Sequence, residues 1–334
     1  MTTRVAINGF GRIGRNILRA GWNQDDIEFV FINDLTSDDM LAYLLQHDTV
    51  HGKWTHSVDT TDQGIVVDGT LIRTASKRNP AELPWKELNI DVVLECTGVF
   101  TTGESAGTHL AAGARKVIIS APAKDIDGTF VVGVNDHELD PKIHNIISNA
   151  SCTTNCLAPT AKLLHDLVGI ESGMMTTVHS YTMDQNILDA PHPKGKFRRA
   201  RAAAQNMIPT TTGAAQALRL VLPELNGKIH GMAIRVPTPN VSMIDLVINA
   251  SRPTTVEEIN AAFETAAQGT LKGILGVTTK PIVSSDLISD PHSTTVDLTL
   301  TTVLHGNVIK IIAWYDNEWG FSNRMLDLAK QLTG

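Results

Sequence analysis

A G-x-G-x-x-G turn over residues 9–14 constrains the fold of this chain more than any other feature. It follows a short apolar strand over 4–8, opens a segment with apolar residues at helical spacing, and leads to a second strand over 28–33. Strand, helix and strand within roughly thirty residues predict a βαβ unit. In that context the glycines permit a tight turn, and the N-terminus of the helix stabilises a bound phosphate. The second strand leads to Asp34, whose carboxylate can bind ribose hydroxyls and repels a 2′-phosphate, which favours NAD over NADP.

The rest of the first 151 residues continues the strand and helix signals. Continuous apolar runs over 91–96 and 116–120 are typical of strands covered on both faces, and a helical segment lies between them. Residues 65–72 predict a hairpin, since Asp68-Gly69 suits the positive φ angles of a type I′ turn. We therefore expect an α/β protein in which residues 1–151 form a Rossmann-type, doubly wound parallel sheet that serves as an NAD-binding domain.

After residue 151 the pattern changes to long alternating strands. Three segments alternate apolar and polar residues over most of their length: 240–248, 294–304 and 308–314. A tight Gly306-Asn307 turn joins the last two, and long strands with short connections are typical of an antiparallel sheet. The pattern predicts an α+β catalytic domain over 152–317 with a mainly antiparallel sheet. Helical spacing of apolar residues also predicts a final amphipathic helix within 318–334.

Composition excludes several classes of protein. The 334 residues carry a formal net charge of -7, which argues against an extended nucleic-acid surface. The three cysteines form no disulfide framework, and Cys152 with Cys156 alone makes a poor zinc site, so no metal is expected. No apolar run reaches the roughly 18 residues that a membrane span needs, and the start of the chain lacks an apolar leader. We expect a cytoplasmic protein without a membrane or nucleic-acid partner.

The polar run over 150–156 places a thiol at the start of an amphipathic helical segment. Free N–H groups and the positive end of the macrodipole favour an anion at a helix N-terminus. Cys152 is therefore expected to lose its proton readily and to act as a nucleophile. A buried structural cysteine is the alternative, but the polar neighbours on both sides disfavour it. Cys156, one turn further along, is expected to be structural.

Four segments resemble those of the phosphorylating glyceraldehyde-3-phosphate dehydrogenases: residues 8–15, 150–156, 177–182 and 314–320. The segments are specific and occur in order, and the resemblance extends from Arg4 to the last helix. It implies the oxidation of D-glyceraldehyde 3-phosphate by NAD with uptake of inorganic phosphate, which gives 1,3-bisphosphoglycerate in glycolysis or gluconeogenesis. It also implies a homotetramer, and a C-terminal helix over 318–334 that packs back on the first domain and completes it.

The resemblance assigns the site residues as well. It pairs Cys152 with His179: the thiolate forms a hemithioacetal with the aldehyde, oxidation gives a thioester while His179 accepts a proton, and phosphate releases the acyl group. An imidazolium beside Cys152 would lower the thiol pKa further and give an ion pair. The attacking phosphate is assigned to Ser151, Thr153, Thr212 and Gly213. The substrate phosphate is assigned to Thr182, Asp184 and Arg235, with Arg235 reaching both anions. Cofactor contacts are assigned to Gly9, Arg12, Ile13, Asp34, Arg78, Thr97, Ser120 and Asn317.

The residues themselves support part of this assignment. The Thr210-Thr211-Thr212-Gly213 run at a helix start suits an anion nest, with simple N-capping as the alternative. Arg235 is flanked by apolar residues, which indicates a partner anion rather than bulk solvent. A lone histidine is more often structural, so the place of His179 beside Cys152 comes from the resemblance alone.

Three alternatives stay open. Erythrose-4-phosphate dehydrogenases share the glycines and the cysteine run. They usually depart from the glyceraldehyde-3-phosphate dehydrogenase pattern at 120–122 and 177–182, whereas this chain keeps that pattern at both places. A thiol hydrolase could use Cys152, His179 and Asn155, yet it has no use for a dinucleotide turn. A redox-sensing or partner-binding protein without catalysis is disfavoured because the catalytic residue types are intact.

Two segments bear on assembly. The strand face that carries Thr299, Leu300, Thr301 and Val303 is expected to meet another copy, and two kinds of isologous contact give a tetramer. The segment 189–201 is expected to be a residue or two longer than in some members of the family. By resemblance it lines the neighbouring subunit's cofactor pocket, and loop extension costs little stability.

Overall fold

A computed structural model describes residues 2–334, which divide into two compact units. The first unit comprises the chain up to Val132 together with Asp136–Ser151 and Ser322–Gly334. The second unit comprises Gly133–Asn135 and Cys152–Phe321. Each unit is built around one sheet.

The elements of the first unit are, in chain order, β1 Thr3–Asn8, α1 Arg12–Gly21, β2 Ile27–Asn33, α2 Asp38–Gln46, β3 Val58–Thr61, β4 Gly64–Val67, β5 Thr70–Ala75, β6 Val92–Glu95, α3 Gly103–Ala111, β7 Lys116–Ile119, β8 Gly128–Thr129 and β9 Ile146–Ser148. The sheet order is β3-β4-β5-β2-β1-β6-β7-β9-β8. Strands from β5 to β8 in this order pair in parallel, and the chain reverses its direction of travel across the sheet between β1 and β6. This is the doubly wound arrangement, so the predicted fold of the first part is confirmed.

The central strands of this sheet are buried on both faces. Val5, Ile7, Val93 and Leu94 are all fully buried, as continuous apolar runs in a covered parallel sheet require. At one edge, β4 and β5 form the predicted hairpin. Its turn residues have positive φ angles, 48° at Asp68 and 80° at Gly69, which confirms the type I′ prediction.

The elements of the second unit are α4 Cys152–Val168, β10 Ile170–Ser180, β11 Ile208–Thr211, α5 Ala214–Val221, β12 Ile229–Val236, β13 Ser242–Ala250, α6 Val256–Gln268, β14 Leu275–Thr278, β15 Thr294–Asp297, β16 Thr302–Leu304 and β17 Val308–Tyr315. The sheet order is β11-β12-β10-β13-β17-β15-β14, with β16 paired to β17. Most pairs are antiparallel, and β10 with β12 and β14 with β15 are parallel. The predicted mainly antiparallel sheet is confirmed, with these two parallel pairs as an addition.

The prediction of one continuous strand over 294–304 is wrong. Strand β15 ends at Asp297, and a short 3₁₀ helix over Leu298–Leu300 separates it from β16. The cause is the Asp297 carboxylate, which accepts the Thr299 N–H at 3.1 Å and caps the helical turn. The following turn is centred on His305 and Gly306, which have positive φ angles, one residue earlier than predicted.

The last helix, α7 Trp319–Thr333, confirms the amphipathic helix predicted at the end of the chain. Its start is capped by Asp316, whose Oδ1 accepts the N–H groups of Glu318 and Trp319 at 2.9 and 2.8 Å. Its residues from Ser322 onward belong to the first unit. Among the described residues we find no helix with the length and apolar character needed to cross a membrane.

Candidate active site

Cys152 is the first residue of α4, and its side chain is partly exposed. Strand β10 carries His179, which is buried, and places its Nε2 at 3.5 Å from the Cys152 Sγ. The other ring nitrogen, Nδ1, lies 2.7 Å from the backbone oxygen of Ser180. Because a carbonyl oxygen only accepts, Nδ1 carries the proton and the Nε2 lone pair faces the thiol. The structure thus brings together the pair that the resemblance assigned.

Burial and neighbouring groups determine the pKa values of Cys152 and His179, and hence whether each side chain is charged. Loss of solvent around the thiol raises the Cys152 pKa, against the influence of the Arg235 charge and a hydrogen bond from Thr153. Burial lowers the pKa of His179 to about 3, and Arg235 acts in the same direction. Each group by itself is therefore neutral at pH 7. Proton transfer from Sγ to Nε2 would create both charges together at the N-terminus of α4. The imidazolium–thiolate ion pair stays a prediction.

Arg235 lies beside His179 because β10 and β12 pair in parallel with these two residues as direct partners. Its Nη1 donates to the Ser180 carbonyl at 3.2 Å and to the Thr182 hydroxyl at 2.7 Å. Its Nε is buried and has no partner within the protein. A guanidinium N–H that is buried and unused suits an anionic ligand, since burial without a partner is costly.

The Asp184 carboxylate does not itself bind an anion, but it contacts two side chains next to Arg235. Its Oδ1 accepts the Thr182 hydroxyl at 2.6 Å, and its Oδ2 forms a short ion pair with Arg199. Burial opposes ionisation, but the Thr182 hydrogen bond and the Arg199 charge prevail and lower the Asp184 pKa. Asp184 therefore orients Thr182 and Arg199 rather than offering a donor of its own.

Arg199 is a residue of this cluster that sequence reasoning missed. Its side chain is buried although it follows a loop rich in basic residues, and its Nε donates to the Thr210 hydroxyl at 3.0 Å. The sequence offers no signal that separates Arg199 from Arg198 and Arg201, which are exposed. Only the tertiary pairing with Asp184 distinguishes it.

The threonines assigned to phosphate differ in what they can offer. The hydroxyl of Thr153 is buried 2.9 Å from the Tyr315 hydroxyl, which also contacts Thr177 at 2.9 Å. The Thr212 hydroxyl accepts the Ala214 N–H at 3.2 Å at the start of α5, where Gly213 and not a threonine is the N-cap residue. The Thr153 hydroxyl therefore has a partner within the protein, and its backbone N–H at the start of α4 is the donor that we consider for an anion. Ser151 directly precedes Cys152 and is partly exposed.

Cys156 lies apart from this cluster chemistry. It is fully buried, its Sγ is 3.3 Å from the Thr294 hydroxyl, and burial raises the pKa of its thiol well above the usual range. Inert packing is expected of such a cysteine.

In the first unit the glycine turn has room for a ligand at one of its three glycines. A Cβ on Gly9, whose φ is 92°, would lie 2.7 Å from the Thr97 backbone nitrogen, and one on Gly14 would lie 2.3 Å from the Gly9 oxygen. Neither position tolerates a side chain. A Cβ on Gly11 would meet nothing within 4 Å, so this glycine borders open space at the N-terminus of α1. The turn therefore fits a dinucleotide, whose pyrophosphate approaches the backbone here.

The remaining cofactor candidates of this unit follow the carboxyl ends of parallel strands. Arg78 follows β5, Asp34 follows β2, Thr97 follows β6 and Ser120 follows β7. Because these strands are parallel neighbours around β1, the four residues share one edge of the sheet, where α/β proteins bind ligands. The side chains of Arg78 and Thr97 are exposed there.

Two of the candidates already have partners. The Asp34 carboxylate accepts the Phe10 N–H at 2.7 Å and the Thr36 N–H at 2.9 Å, so it also caps the segment that follows β2. The Arg12 guanidinium is paired with Asp48. Burial opposes that charge, but the Arg12 hydrogen bond lowers the pKa of Asp48 to about 2. Arg12 and Ile13, at the start of α1, can therefore serve a pyrophosphate through backbone N–H groups.

Asn317 belongs to the second unit. Its Oδ1 accepts the hydroxyls of Ser180 and Ser242, each at 2.9 Å, which leaves the Nδ2 group as the donor available to a ligand.

A doubly wound sheet with this glycine turn, and a cysteine at a helix start beside a histidine, define an NAD-dependent oxidoreductase. Residues 151–317 match the family model described as the C-terminal domain of glyceraldehyde 3-phosphate dehydrogenase, and residues 3–103 match its NAD binding domain. The chain therefore belongs to the glyceraldehyde-3-phosphate dehydrogenase family, its cofactor is NAD, and the resemblance seen in the sequence is confirmed.

Curated relatives agree along the whole chain. It is 55% identical over 329 residues to glyceraldehyde-3-phosphate dehydrogenase 1 of Bacillus subtilis (strain 168), covering 98% of each chain. It is 56% identical over 329 residues to the glyceraldehyde-3-phosphate dehydrogenase of Geobacillus stearothermophilus, again covering 98% of each. The corresponding protein of Streptomyces coelicolor is 56% identical over 330 residues, with 98% of each covered.

Proposed function

We propose that this chain oxidises D-glyceraldehyde 3-phosphate with NAD and inorganic phosphate to give 1,3-bisphosphoglycerate. The observation that carries the proposal is the Cys152–His179 pair, with Sγ and Nε2 3.5 Å apart and Nδ1 bound to the Ser180 carbonyl. That arrangement supplies a nucleophile and a base whose free lone pair points at it. The Cys152–Phe321 unit is the catalytic domain in this proposal, and the other unit is the NAD-binding domain.

The first chemical step belongs to Cys152 and His179. As Sγ attacks the aldehyde carbon, Nε2 takes the thiol proton and returns it to the carbonyl oxygen, which gives a neutral hemithioacetal. His179 then accepts the hydroxyl proton while the C–H bond breaks, and the cysteine is left as a thioester. NAD, when bound, supplies the acceptor for the hydride.

The second step releases the acyl group. Inorganic phosphate attacks the thioester carbon, the C–S bond breaks, and the acyl phosphate leaves while the Cys152 thiolate is restored. The proton that His179 received passes to solvent. In this way the free energy of aldehyde oxidation is retained in the acyl phosphate.

Two anions have to be bound by a chain of net charge -7, so local donors decide the site. Arg235 offers its unpartnered Nε, and the Thr182 hydroxyl accepts a hydrogen bond from the Nη1 of the same guanidinium. We assign these two, oriented by Asp184, to the substrate phosphate. Ser151, the backbone N–H of Thr153, Thr212 and Gly213 are assigned to the attacking phosphate. For the cofactor, we assign the pyrophosphate to Gly9, Arg12 and Ile13. The adenosine half is assigned to Asp34, Arg78, Thr97 and Ser120. Asn317 serves the nicotinamide carboxamide.

The assembly proposed for this enzyme is a homotetramer, but the face predicted to carry it needs revision. Leu300 lies in the 3₁₀ helix and Thr301 is buried, so residues 299–303 do not form a regular strand face. Five strongly exposed apolar side chains lie instead in the segment 183–207. They are Met183, Ile187, Leu188, Phe197 and Met207, each at least 74% exposed. An apolar segment of this kind supports contact with another copy. A cytoplasmic location is part of the same proposal.

Initial rates of NADH formation test the proposal. The chain is assayed with glyceraldehyde 3-phosphate and with erythrose 4-phosphate, each with and without inorganic phosphate, and with NAD or NADP. We expect phosphate-dependent NADH formation that is fastest with glyceraldehyde 3-phosphate. Faster turnover of erythrose 4-phosphate, or rates that ignore phosphate, would contradict the assignment. The variant Cys152→Ser serves as the inactive control.

A further inference from the structure

Three neighbouring parallel strands of the first unit end in a row of buried polar residues. Asn33 ends β2, Asn8 ends β1 and Glu95 ends β6, and the strand registers make them direct partners. None of the three is more than 4% exposed. The Asn33 Nδ2 donates to the Asn8 Oδ1 at 2.7 Å, and the Asn8 Nδ2 donates to the Glu95 Oε2 at 2.5 Å. The row crosses the middle of the sheet at the edge that carries the cofactor candidates.

Glu95 places a carboxylate at the end of this row, and four donors converge on it. Besides Asn8, its Oε2 accepts from the His109 Nε2 at 3.1 Å. Its Oε1 accepts the Thr97 N–H at 2.8 Å and, in a short contact, the Thr97 hydroxyl. Burying a carboxylate this deeply is unfavourable unless its oxygens are fully hydrogen-bonded. Removing any one donor is therefore expected to shift the carboxylate and the groups that still bind it.

His109 is held in one tautomer by Trp85. The indole Nε1–H is a donor only, and it lies 3.0 Å from the His109 Nδ1. That ring nitrogen therefore accepts, and the imidazole proton resides on Nε2, which points at Glu95. Both side chains are fully buried. The Asn8 Nδ2 lies 3.4 Å from the His109 Nε2 because both donors converge on the same carboxylate oxygen.

The carboxylate reaches the cofactor edge by two routes. One is direct, through both donors of Thr97. The other runs through Asn8 to Gly9, which follows it in the chain. Since a Cβ on Gly9 would lie 2.7 Å from the Thr97 nitrogen and 2.8 Å from the Cys96 carbonyl carbon, the glycine turn rests directly on the Cys96–Thr97 peptide. Glu95 is thus hydrogen-bonded to both segments that meet here, to Asn8 before the glycine turn and to Thr97 opposite it.

We propose that Glu95 is a positioning residue of the dinucleotide site. Its carboxylate, supported by His109, sets the spacing between the glycine turn and Thr97. The inference rests on the proposed function, because it takes these two segments to bind the adenosine diphosphate part of NAD. In Glu95→Gln the shape is retained, but one acceptor oxygen becomes an N–H₂ group that faces donors of the same kind.

The test is binding of NAD and of ADP-ribose to the full chain, measured by titration calorimetry. ADP-ribose lacks the nicotinamide, so it reports on the adenosine diphosphate half without any turnover. We expect Glu95→Gln to weaken both ligands by about tenfold or more, with kcat at saturating NAD changed less than about twofold. The matched control is Glu87→Gln, which removes an exposed carboxylate of the same unit and is expected to bind both ligands like the wild type.

A second pair of variants covers the case in which Glu95→Gln fails to fold. His109→Gln keeps a donor toward Glu95, whereas His109→Leu removes it, so the leucine variant should bind ADP-ribose several-fold more weakly than the glutamine variant. Thermal melting of each variant separates lost affinity from lost fold. Unchanged ADP-ribose affinity in folded Glu95→Gln, or equal affinities in the two His109 variants, overturns the positioning role. If the wild type itself binds neither ligand, the proposed function fails instead.

Discussion

The imidazole of His179 and the guanidinium of Arg235 share one acceptor, the backbone carbonyl of Ser180, at 2.7 and 3.2 Å. This shared oxygen fixes the tautomer of His179 and holds the Arg235 guanidinium beside it. The Arg235 charge adds to burial in lowering the His179 pKa, and it opposes the rise that burial causes in the Cys152 pKa. In the proposed mechanism, the residue that binds phosphate and the residue that moves the proton are therefore linked through one backbone carbonyl.

The contribution of His179 to activating Cys152 can be tested by the reactivity of the thiol. In His179→Asn the proton acceptor is lost, while burial still raises the thiol pKa. We expect the pH midpoint for alkylation of Cys152 by iodoacetamide to move to higher pH in this variant than in the wild type. Rates are measured from acid to alkaline pH in a background that carries both Cys96→Ser and Cys156→Ser, so that Cys152 is the one thiol followed. An unchanged midpoint would show that His179 has no share in activating the thiol.

The two cysteines of α4 should respond to serine substitution in opposite ways. Cys152→Ser is expected to abolish turnover and acyl-enzyme formation while NAD binding survives, because the glycine turn lies on a different unit. Cys156→Ser removes a buried thiol that contacts Thr294, so most of the activity should remain with a modest loss of stability. Mass spectrometry after a single turnover detects the thioester. A loss of activity in Cys156→Ser as large as that in Cys152→Ser would contradict this division of roles.

The sequence could predict those parts of the fold that local chemistry decides. The Gly9 turn, the Asp68–Gly69 hairpin and the buried strands follow from φ preferences and apolar patterning alone. Asp297 shows the limit: an alternating pattern allows its carboxylate either to lie in a strand or to cap a turn, and in the fold it accepts the Thr299 N–H and caps a turn. Arg199 and Glu95 were missed for a related reason, since their partners Asp184 and His109 lie 15 and 14 residues away and only the folded chain brings them together.

Asp48 is expected to stabilise the protein through its ion pair with Arg12. Its pKa is about 2 in the folded chain against 3.8 as the ordinary value, so the charged form favours folding by about 1–2 kcal/mol at neutral pH. This contribution is present above about pH 4 and is lost as the pH falls through about 2. Denaturant unfolding should therefore show Asp48→Asn less stable than the wild type at pH 7, with a smaller gap near pH 3. A gap that is independent of pH would mean that the charge of Asp48 contributes nothing.

The coenzyme preference should depend on Asp34. A carboxylate facing a 2′-phosphate is expected to cost more than the ~1.4 kcal/mol that corresponds to a tenfold preference for NAD. Asp34→Gly should narrow the ratio of kcat/KM for NAD over NADP. It should also weaken NAD itself, because the Phe10 and Thr36 N–H groups lose their acceptor. The measurement is the pair of kcat/KM values for each coenzyme, and a wild type that uses both equally would refute this role of Asp34.

Assembly should depend on the apolar segment 183–207. Leu188 and Phe197 are 74% and 90% exposed in the single chain, and burying such side chains between copies is worth roughly 1.5–3 kcal/mol each. Light scattering of the wild type is expected to give about four times the 36.1 kDa chain mass. A charge at either position, as in Leu188→Asp or Phe197→Asp, would have to be buried unpaired at the interface, so it should shift the mass toward dimers or monomers. Ile143→Asp is the matched control, since Ile143 is an exposed apolar residue of the first unit and should leave the mass unchanged. If the segment also shapes the neighbour's cofactor pocket, dissociation should raise the Kd for NAD as the measured mass falls. A fully active monomer at micromolar concentration would refute both the assembly and that role of the segment.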